Sequence, residues 1–196
     1  MAISRTPVFK RCNHLGINPL VLGYTHKPSI RRMKPTRRRK QSEYARQLIE
    51  KQKLRFIYGV LEKQFKLIYG RAEKASGVTG ENLLRLLELR FDNIIFRLGY
   101  ATTRKESRQR INHGHLMING RRVDIPSVTL KVGDVITVNE KAKQALRLRK
   151  LSQNRRIPTW LQFDEEKFEA QVISLPTRSD IDYDVTESAV VELYSK

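Results

Sequence analysis

Cysteine occurs once in 196 residues, as Cys12. That excludes an internal disulfide framework and fits a reducing compartment. Metal ligands are equally sparse. Cys12, His14 and His26 supply at most three, and structural zinc sites close with four, so no metal is expected. No run of about 18 apolar residues exists to span a membrane. The segment Met1-Ala2-Ile3-Ser4-Arg5 lacks the apolar core of a secretory signal. Neither Gly-x-x-x-x-Gly-Lys-Ser/Thr nor Gly-x-Ser-x-Gly occurs. Without a phosphate loop or nucleophile turn, no enzyme activity, cofactor or small-molecule substrate is expected. Asp92 is the carboxylate nearest the most basic helix, and a salt bridge or helix cap accounts for it better than a catalytic base does.

Acidic charge is also scarce. Lys and Arg number 39 against 20 Asp and Glu, a net charge of +19 with a pI near 10.4. A fold carrying that charge repels itself unless a polyanion is near. Nucleic acid is the expected partner, because counterion release turns such charge into affinity. The charge is uneven. Residues 1–55 carry a net +13, residues 56–160 a net +12 and residues 161–196 a net −6. The amino-terminal third and the middle should face the polyanion, while the acidic tail should turn away or fold back on basic surface.

Residues 1–41 read as an extended basic arm. Pro7, Gly16, Pro19, Gly23, Pro28 and Pro35 punctuate it, and its apolar residues show no sustained period. It ends in Arg31-Arg32-Met33-Lys34-Pro35-Thr36-Arg37-Arg38-Arg39-Lys40, a self-repelling block that either orders against RNA or serves as a localisation or solubilising run. Ser42 then caps a helix expected from Glu43 toward Tyr58. A second helix is expected over 60–75, with Leu61, Phe65, Ile68 and Tyr69 as its core stripe. Thr79 should cap a third, leucine-rich one over 81–89.

Residues 90–138 carry the most information. An apolar helical segment, Phe91-Asp92-Asn93-Ile94-Ile95-Phe96-Arg97-Leu98, precedes a basic helix opened by the capping box Thr103-x-x-Glu106 and closed at Gly114. On that helix Arg104, Arg108 and Ile111 or Asn112 share a face, with Lys105 and Gln109 beside it. His113 and His115 flank Gly114, where they can hydrogen-bond phosphate or stack on a base. Asn119-Gly120 signals a hairpin turn between Leu116-Met117-Ile118 and Val123. Val128 and Leu130, then Val135, Ile136 and Val138, read as further short strands. A basic helix is expected from Lys141 to about Leu151. The strand-like Val190-Val191-Glu192-Leu193-Tyr194 closes the chain.

The run from Arg90-Phe91-Asp92-Asn93 through Ile111-Asn112-His113-Gly114-His115-Leu116-Met117-Ile118-Asn119-Gly120-Arg121-Arg122-Val123 resembles the small RNA-binding domain named after ribosomal protein S-four. Enzymes and a ribosome-rescue factor also use that domain, so it does not decide function alone. The flanks do. Ser42-Glu43-Tyr44, Ile57-Tyr58-Gly59-Val60-Leu61-Glu62, Thr79-Gly80-Glu81-Asn82, Pro158-Thr159-Trp160-Leu161 and Val191-Glu192-Leu193-Tyr194-Ser195-Lys196 are similar to the bacterial-type small-subunit ribosomal protein S-four family, in order and over nearly the whole chain.

The resemblance implies an α+β fold: an arm over 1–41, a helical domain over 42–89 and 139–196, and an inserted RNA-binding domain over 90–138. In the latter a helical pair packs on a short antiparallel sheet. It implies a structural constituent of the small ribosomal subunit, binding early to the 5′ domain of 16S-type rRNA, nucleating assembly and contributing to translational accuracy. The implied partners are small-subunit rRNA, the neighbouring ribosomal proteins S-three and S-five, and messenger RNA near its path into the subunit. The implied location is a cytoplasmic ribosome, with a plastid ribosome as the alternative. Carried over residue by residue, the motif's RNA-facing positions are Arg104, Lys105, Arg108, Gln109, His113, His115 and Arg121. Lys51, Lys53, Arg55 and Tyr58 fall on the family's basic helix-and-turn region, and Arg37, Arg38, Arg39 and Lys40 on the basic arm. One family branch binds zinc through four amino-terminal cysteines. This chain keeps only Cys12, which places it in the metal-free branch. Phe91 stands where the family has leucine, a core change. An RNA-modifying enzyme lacks room for a catalytic domain after Val138. An RNA-binding regulator or rescue factor is the remaining alternative.

Overall fold

The computed structural model describes residues 7–24, 42–140, 142–143, 157–164 and 166–195. The cluster Arg37, Arg38, Arg39 and Lys40, the residue His26 and the body of the basic helix expected over 141–151 lie outside the described residues. Among those described are seven α-helices and one antiparallel sheet of five strands, an α+β fold with two hydrophobic cores.

The helical core forms first along the chain. Helix α1 (Val8–Leu15) starts behind Pro7 and ends at Gly16, whose φ of 68° gives it a left-handed cap. A 3-10 turn (Pro19–Leu22) follows, capped by the Asn18 side chain. This part of the chain corrects the reading of residues 1–41 as an arm without periodic structure. Cys12 is fully buried, and Leu15, Ile17 and Leu22 join it in the core. The signal was present: Val8, Cys12 and Leu15 are spaced four and three apart, a helical stripe hidden by the flanking proline and glycines.

Helix α2 (Glu43–Ile57) begins as expected, with the Ser42 hydroxyl accepting from the Ala45 N–H at 3.3 Å. Helix α3 (Glu62–Lys74) buries Phe65, Tyr69 and Ala72 at four- and three-residue steps, while Leu61 stays exposed at its cap. Helix α4 (Thr79–Glu88) buries Leu83, Leu84 and Leu87; Thr79 opens the helix rather than capping it, and Val78 holds the cap position. The carboxyl-terminal Val190–Tyr194, expected as a strand from its β-branched residues, belongs instead to helix α7 (Glu187–Tyr194). Val190 is buried and Tyr194 stacks on Tyr69, ring centroids 4.4 Å apart. Packing on α2 and α4 overrides the local β preference.

The second core lies between helices α5 (Phe91–Arg97) and α6 (Arg104–Asn112) and the sheet. Strands β1 (Leu116–Ile118), β2 (Arg121–Arg122), β3 (Val135–Val138), β4 (Leu161–Asp164) and β5 (Glu169–Val172) are arranged β2-β1-β3-β5-β4. The turn between β1 and β2 has φ of 50° at Asn119 and 74° at Gly120, the type I′ geometry that Asn-Gly favours. Asn119 also ties this turn to β3: its side-chain oxygen accepts from the Val135 N–H at 2.9 Å. Val128 and Leu130 form no full strand; Thr129 makes a single bridge to Arg90. Strands β4 and β5 fall within 139–196, which was expected to belong to the helical domain. They extend the sheet through β3, with Ile136 opposite Ala170, and Trp160 is buried beside them.

Candidate nucleic-acid interface

Helix α6 is strongly basic, and its two faces differ in kind. Arg104, Ser107 and Ile111 are buried, and Arg108 is half-buried between them. Lys105, Gln109, Asn112 and His113 are exposed on the opposite side. Its amino terminus is capped by Thr103, whose hydroxyl accepts from the Glu106 N–H at 3.2 Å. The expected return bond is displaced by one residue, because Glu106 accepts from the Thr102 N–H and hydroxyl at 2.8 and 2.7 Å. Burial opposes ionisation of Glu106, but hydrogen bonds from Arg110 and Thr102 outweigh it and hold the carboxyl at about 2.

The inner face holds the molecule together. Helix α5 buries all seven of its residues, including Asp92, Asn93 and Arg97, so each polar group needs a partner. Glu88, 1 % exposed, accepts from the Tyr58 hydroxyl at 2.6 Å, from Asn93 Nδ2 at 2.6 Å and from the Arg97 guanidinium at 2.9 Å. Burial alone would raise the Glu88 carboxyl, yet the charge and hydrogen bonds of Arg97 carry it below its ordinary range. Arg97 also forks onto Asp182 at 2.6 and 2.7 Å. The Tyr183 hydroxyl donates to that of Tyr58, and burial beside Glu88 pushes both phenols well above their usual values.

Arg104, expected to face RNA, is 5 % exposed and belongs to this network. Its Nε donates to Asn93 Oδ1 at 2.8 Å, and its guanidinium lies 4.2 Å from the Phe96 ring centroid and 5.2 Å from that of Tyr58. Tyr58, 1 % exposed, is likewise core. Both are corrections to the site expected from sequence. Arg108 is engaged inward on three sides. Its Nε reaches Asp92 at 2.7 Å, and its terminal nitrogens donate to the Tyr58 and Gly59 carbonyls at 2.7 and 2.8 Å. It thereby caps the carboxyl end of α2 from α6, where the helix dipole favours a cation. Asp92 is held from its other side by Arg90 at 3.0 and 3.1 Å, the salt-bridge role expected of it. The clue lay in Ile111: Arg104, Arg108 and Ile111 share one helical stripe, and an apolar member marks that stripe as the inner one.

Lys51, Lys53 and Arg55 are half-buried on α2, and each reaches a carboxylate. Lys51 and Arg55 converge on Glu62 at 2.6 and 2.5 Å, while Lys53 meets Glu50 at 2.6 Å. Two of the three thus join α2 to the start of α3.

The outer face is continuous with the end of the helix and the hairpin. Gly114 has φ of 70°, and the Arg122 guanidinium lies across it so closely that a Cβ there would come within 2.2 Å of Nε. His113 and His115 stand on either side, with ring centroids 5.8 Å apart. Arg121 and Arg122 are exposed on β2. Of the expected set, Lys105, Gln109, His113 and Arg121 are exposed and His115 is half-buried; Asn112 and Arg122 are exposed as well, and Arg122 meets the turn at Gly114. Asn112 follows Lys105 and Gln109 at helical spacing; Arg122 is placed by the hairpin alone. Among the described residues no cluster of three or more His, Cys, Asp or Glu is set to hold a metal, and no helix is long and apolar enough to cross a membrane.

A helical pair on a small antiparallel sheet, with a cationic turn and hairpin at one end, defines the class. Residues 89–136 match the S4 domain, and residues 4–88 match the ribosomal protein S4/S9 N-terminal domain. Along its full length the chain is 50 % identical to the small ribosomal subunit protein uS4 of Lachnospira eligens and 45 % identical to that of Fusobacterium nucleatum, all of each relative being covered. The uS4 of Clostridium tetani is 54 % identical over 160 residues, 81 % of this chain and 78 % of that one. The chain belongs to the ribosomal protein S4 family, a family of structural ribosomal proteins rather than enzymes.

Proposed function

We propose that this protein is a structural constituent of the small ribosomal subunit that grips rRNA through the outer face of α6, the Gly114 turn and the β1–β2 hairpin. The observation that carries this reading is the segregation of α6. Arg104 and Arg108 turn inward onto Asn93, Asp92 and backbone carbonyls, while Gln109 and His113 of the helix and its cap, and Arg121 and Arg122 of the hairpin, are exposed. Cations on such a face meet phosphates, and the glycine turn lets backbone approach closely. Lys51, Lys53 and Arg55, each paired with a carboxylate in the free protein, and Arg37, Arg38, Arg39 and Lys40 of the basic arm are the further proposed RNA contacts. Full-length similarity to small-subunit proteins leaves the regulator and rescue-factor alternatives without support.

In this reading the RNA is a helical junction in the 5′ domain of 16S-type rRNA, bound early so that assembly nucleates on it, in the cytoplasmic ribosome. The acidic tail, net −6 over 161–196, faces neighbouring proteins rather than RNA. Ribosomal proteins S-three and S-five and the incoming messenger are the proposed neighbours, and contact with S-five is the route to translational accuracy. Filter binding to a 5′-domain transcript tests the core of the reading. Nanomolar affinity with a steep salt dependence is expected, at about −0.7 to −0.9 in log–log slope per phosphate contact. Equal affinity for an arbitrary duplex of the same length overturns junction recognition.

A further inference from the structure

Within the outer face, the turn after α6 has a feature that simple charge neutralisation does not need. His113 and His115 are brought to 5.8 Å by the left-handed Gly114 between them, and the Arg122 guanidinium lies over that glycine. The three cationic or protonatable groups thus surround one small patch of backbone. Among the described residues neither imidazole is committed to a hydrogen bond and Arg122 has no carboxylate partner, unlike Arg108 and Arg110 of the same region.

We propose that His113, His115 and Arg122 form a subsite for one RNA phosphodiester, and that filling it drives uptake of a proton by the histidine pair. The proposal rests on the reading of this face as RNA-binding. A phosphodiester is a permanent monoanion. A neutral imidazole offers it one N–H, whereas an imidazolium offers an N–H and a full charge, the stronger hydrogen bond. An opposite charge within a few ångströms favours the protonated form.

In the free protein the surroundings act the other way. Partial burial, then His113, Arg110 and Arg122, hold the His115 imidazole below its ordinary value, which disfavours its charged form before RNA arrives. Among the described residues the nearby carboxylates are already paired. Glu106 is taken up by Arg110 on α6, and beyond the His115 carbonyl, which accepts from the Asn139 N–H, Glu140 is paired with Lys143. Arg121, on the same hairpin, adds further positive charge.

The sign follows. The bound pair has the higher affinity for protons, so RNA affinity is greatest at low pH and falls as pH rises through the histidine range. One proton corresponds to at most about a tenfold loss per pH unit. The test uses the full-length protein and a 5′-domain rRNA transcript, titrated calorimetrically from about pH 6 to 8 in buffers of different ionisation enthalpy. Wild type is compared with the double variant His113→Asn, His115→Asn. Titrating bases in the RNA, together with His14 and His26, contribute equally to both and cancel. The expected result is a fraction of a proton, up to one, taken up by wild type beyond the double variant, and a flatter pH profile in the latter. Equal uptake by the two proteins overturns the proposal. Arg121→Ala and Lys105→Ala separate the two possible failures. If they weaken binding while uptake is unchanged by the histidine substitutions, only the proton linkage is wrong. If they leave affinity untouched, the interface itself is misplaced.

Discussion

Arg104 and Arg121 look interchangeable as basic residues of one RNA-binding domain, and the structure predicts opposite consequences for losing them. Arg104→Ala removes the bond to Asn93 Oδ1 and leaves that buried oxygen without its donor, at a cost of about 1–3 kcal/mol. It also removes a desolvated cation from the Phe96 and Tyr58 rings, worth about 1–2 kcal/mol. Part of this is offset. Arg104 has no carboxylate of its own, and burial together with the nearby Arg97 holds its guanidinium below the ordinary value. The net loss should be about 2–4 kcal/mol, a fall in melting temperature of about 5–15 °C for a chain of this size. Arg121 is exposed on a two-residue strand, so Arg121→Ala should stay within about 0.5 kcal/mol of wild type. Its effect should fall on the RNA, reducing the salt slope by about one contact. Thermal melts followed by circular dichroism and filter binding at four salt concentrations read both effects. If Arg104→Ala melts with wild type and lowers the salt slope by one, the burial argument is refuted.

Three further outcomes follow from the same geometry. Glu88→Gln keeps the shape but presents an amide to donors from Tyr58, Asn93 and Arg97, and should cost about 3–5 kcal/mol in urea unfolding; a loss under about 1 kcal/mol would show that Asp182 can hold Arg97 unaided. Glu106, at about 2 when folded, contributes stability that is present above the unfolded carboxyl value of about 4.3 and is lost as pH falls toward 2. Glu106→Gln should therefore flatten the stability profile across that acid window and leave it unchanged in shape near neutrality. Gly114→Ala forces a side chain into a φ of 70° and displaces Arg122, so stability should drop by about 1–2 kcal/mol and RNA affinity should fall with it. Unchanged affinity would remove Arg122 from the interface.

Much of the local structure was legible because it depends on neighbours a few residues apart. Ser42 and Thr103 mark the starts of α2 and α6, and Asn119-Gly120 marks its turn through its backbone preferences. Where the reading failed, distant contacts had decided. Residues 7–24 look like loop because Pro7, Gly16, Pro19 and Gly23 crowd them, yet burying Cys12, Leu15 and Leu22 against α2 and the helical core makes them structural. Val190 and Val191 favour a strand in isolation and become helix because α7 has α2 and α4 to pack on. Strands β4 and β5 have no local mark that assigns them to β3.

By itself, the sequence determined the net charge of +19, the basic helix, the glycine turn and the hairpin, and with them a polyanion as partner. All of these follow from composition and from spacings of a few residues. Only the tertiary structure decided which arginines are available to that partner. Helical period shows that Arg104 and Arg108 share a stripe. What turns the stripe inward lies elsewhere: Asp92 and Asn93 on the preceding helix, and the carbonyls of Tyr58 and Gly59 about fifty positions away. A buried guanidinium needs acceptors in place of its water, and here the fold, not the segment that carries the charge, brings them together, leaving Arg104 Nη2 without one.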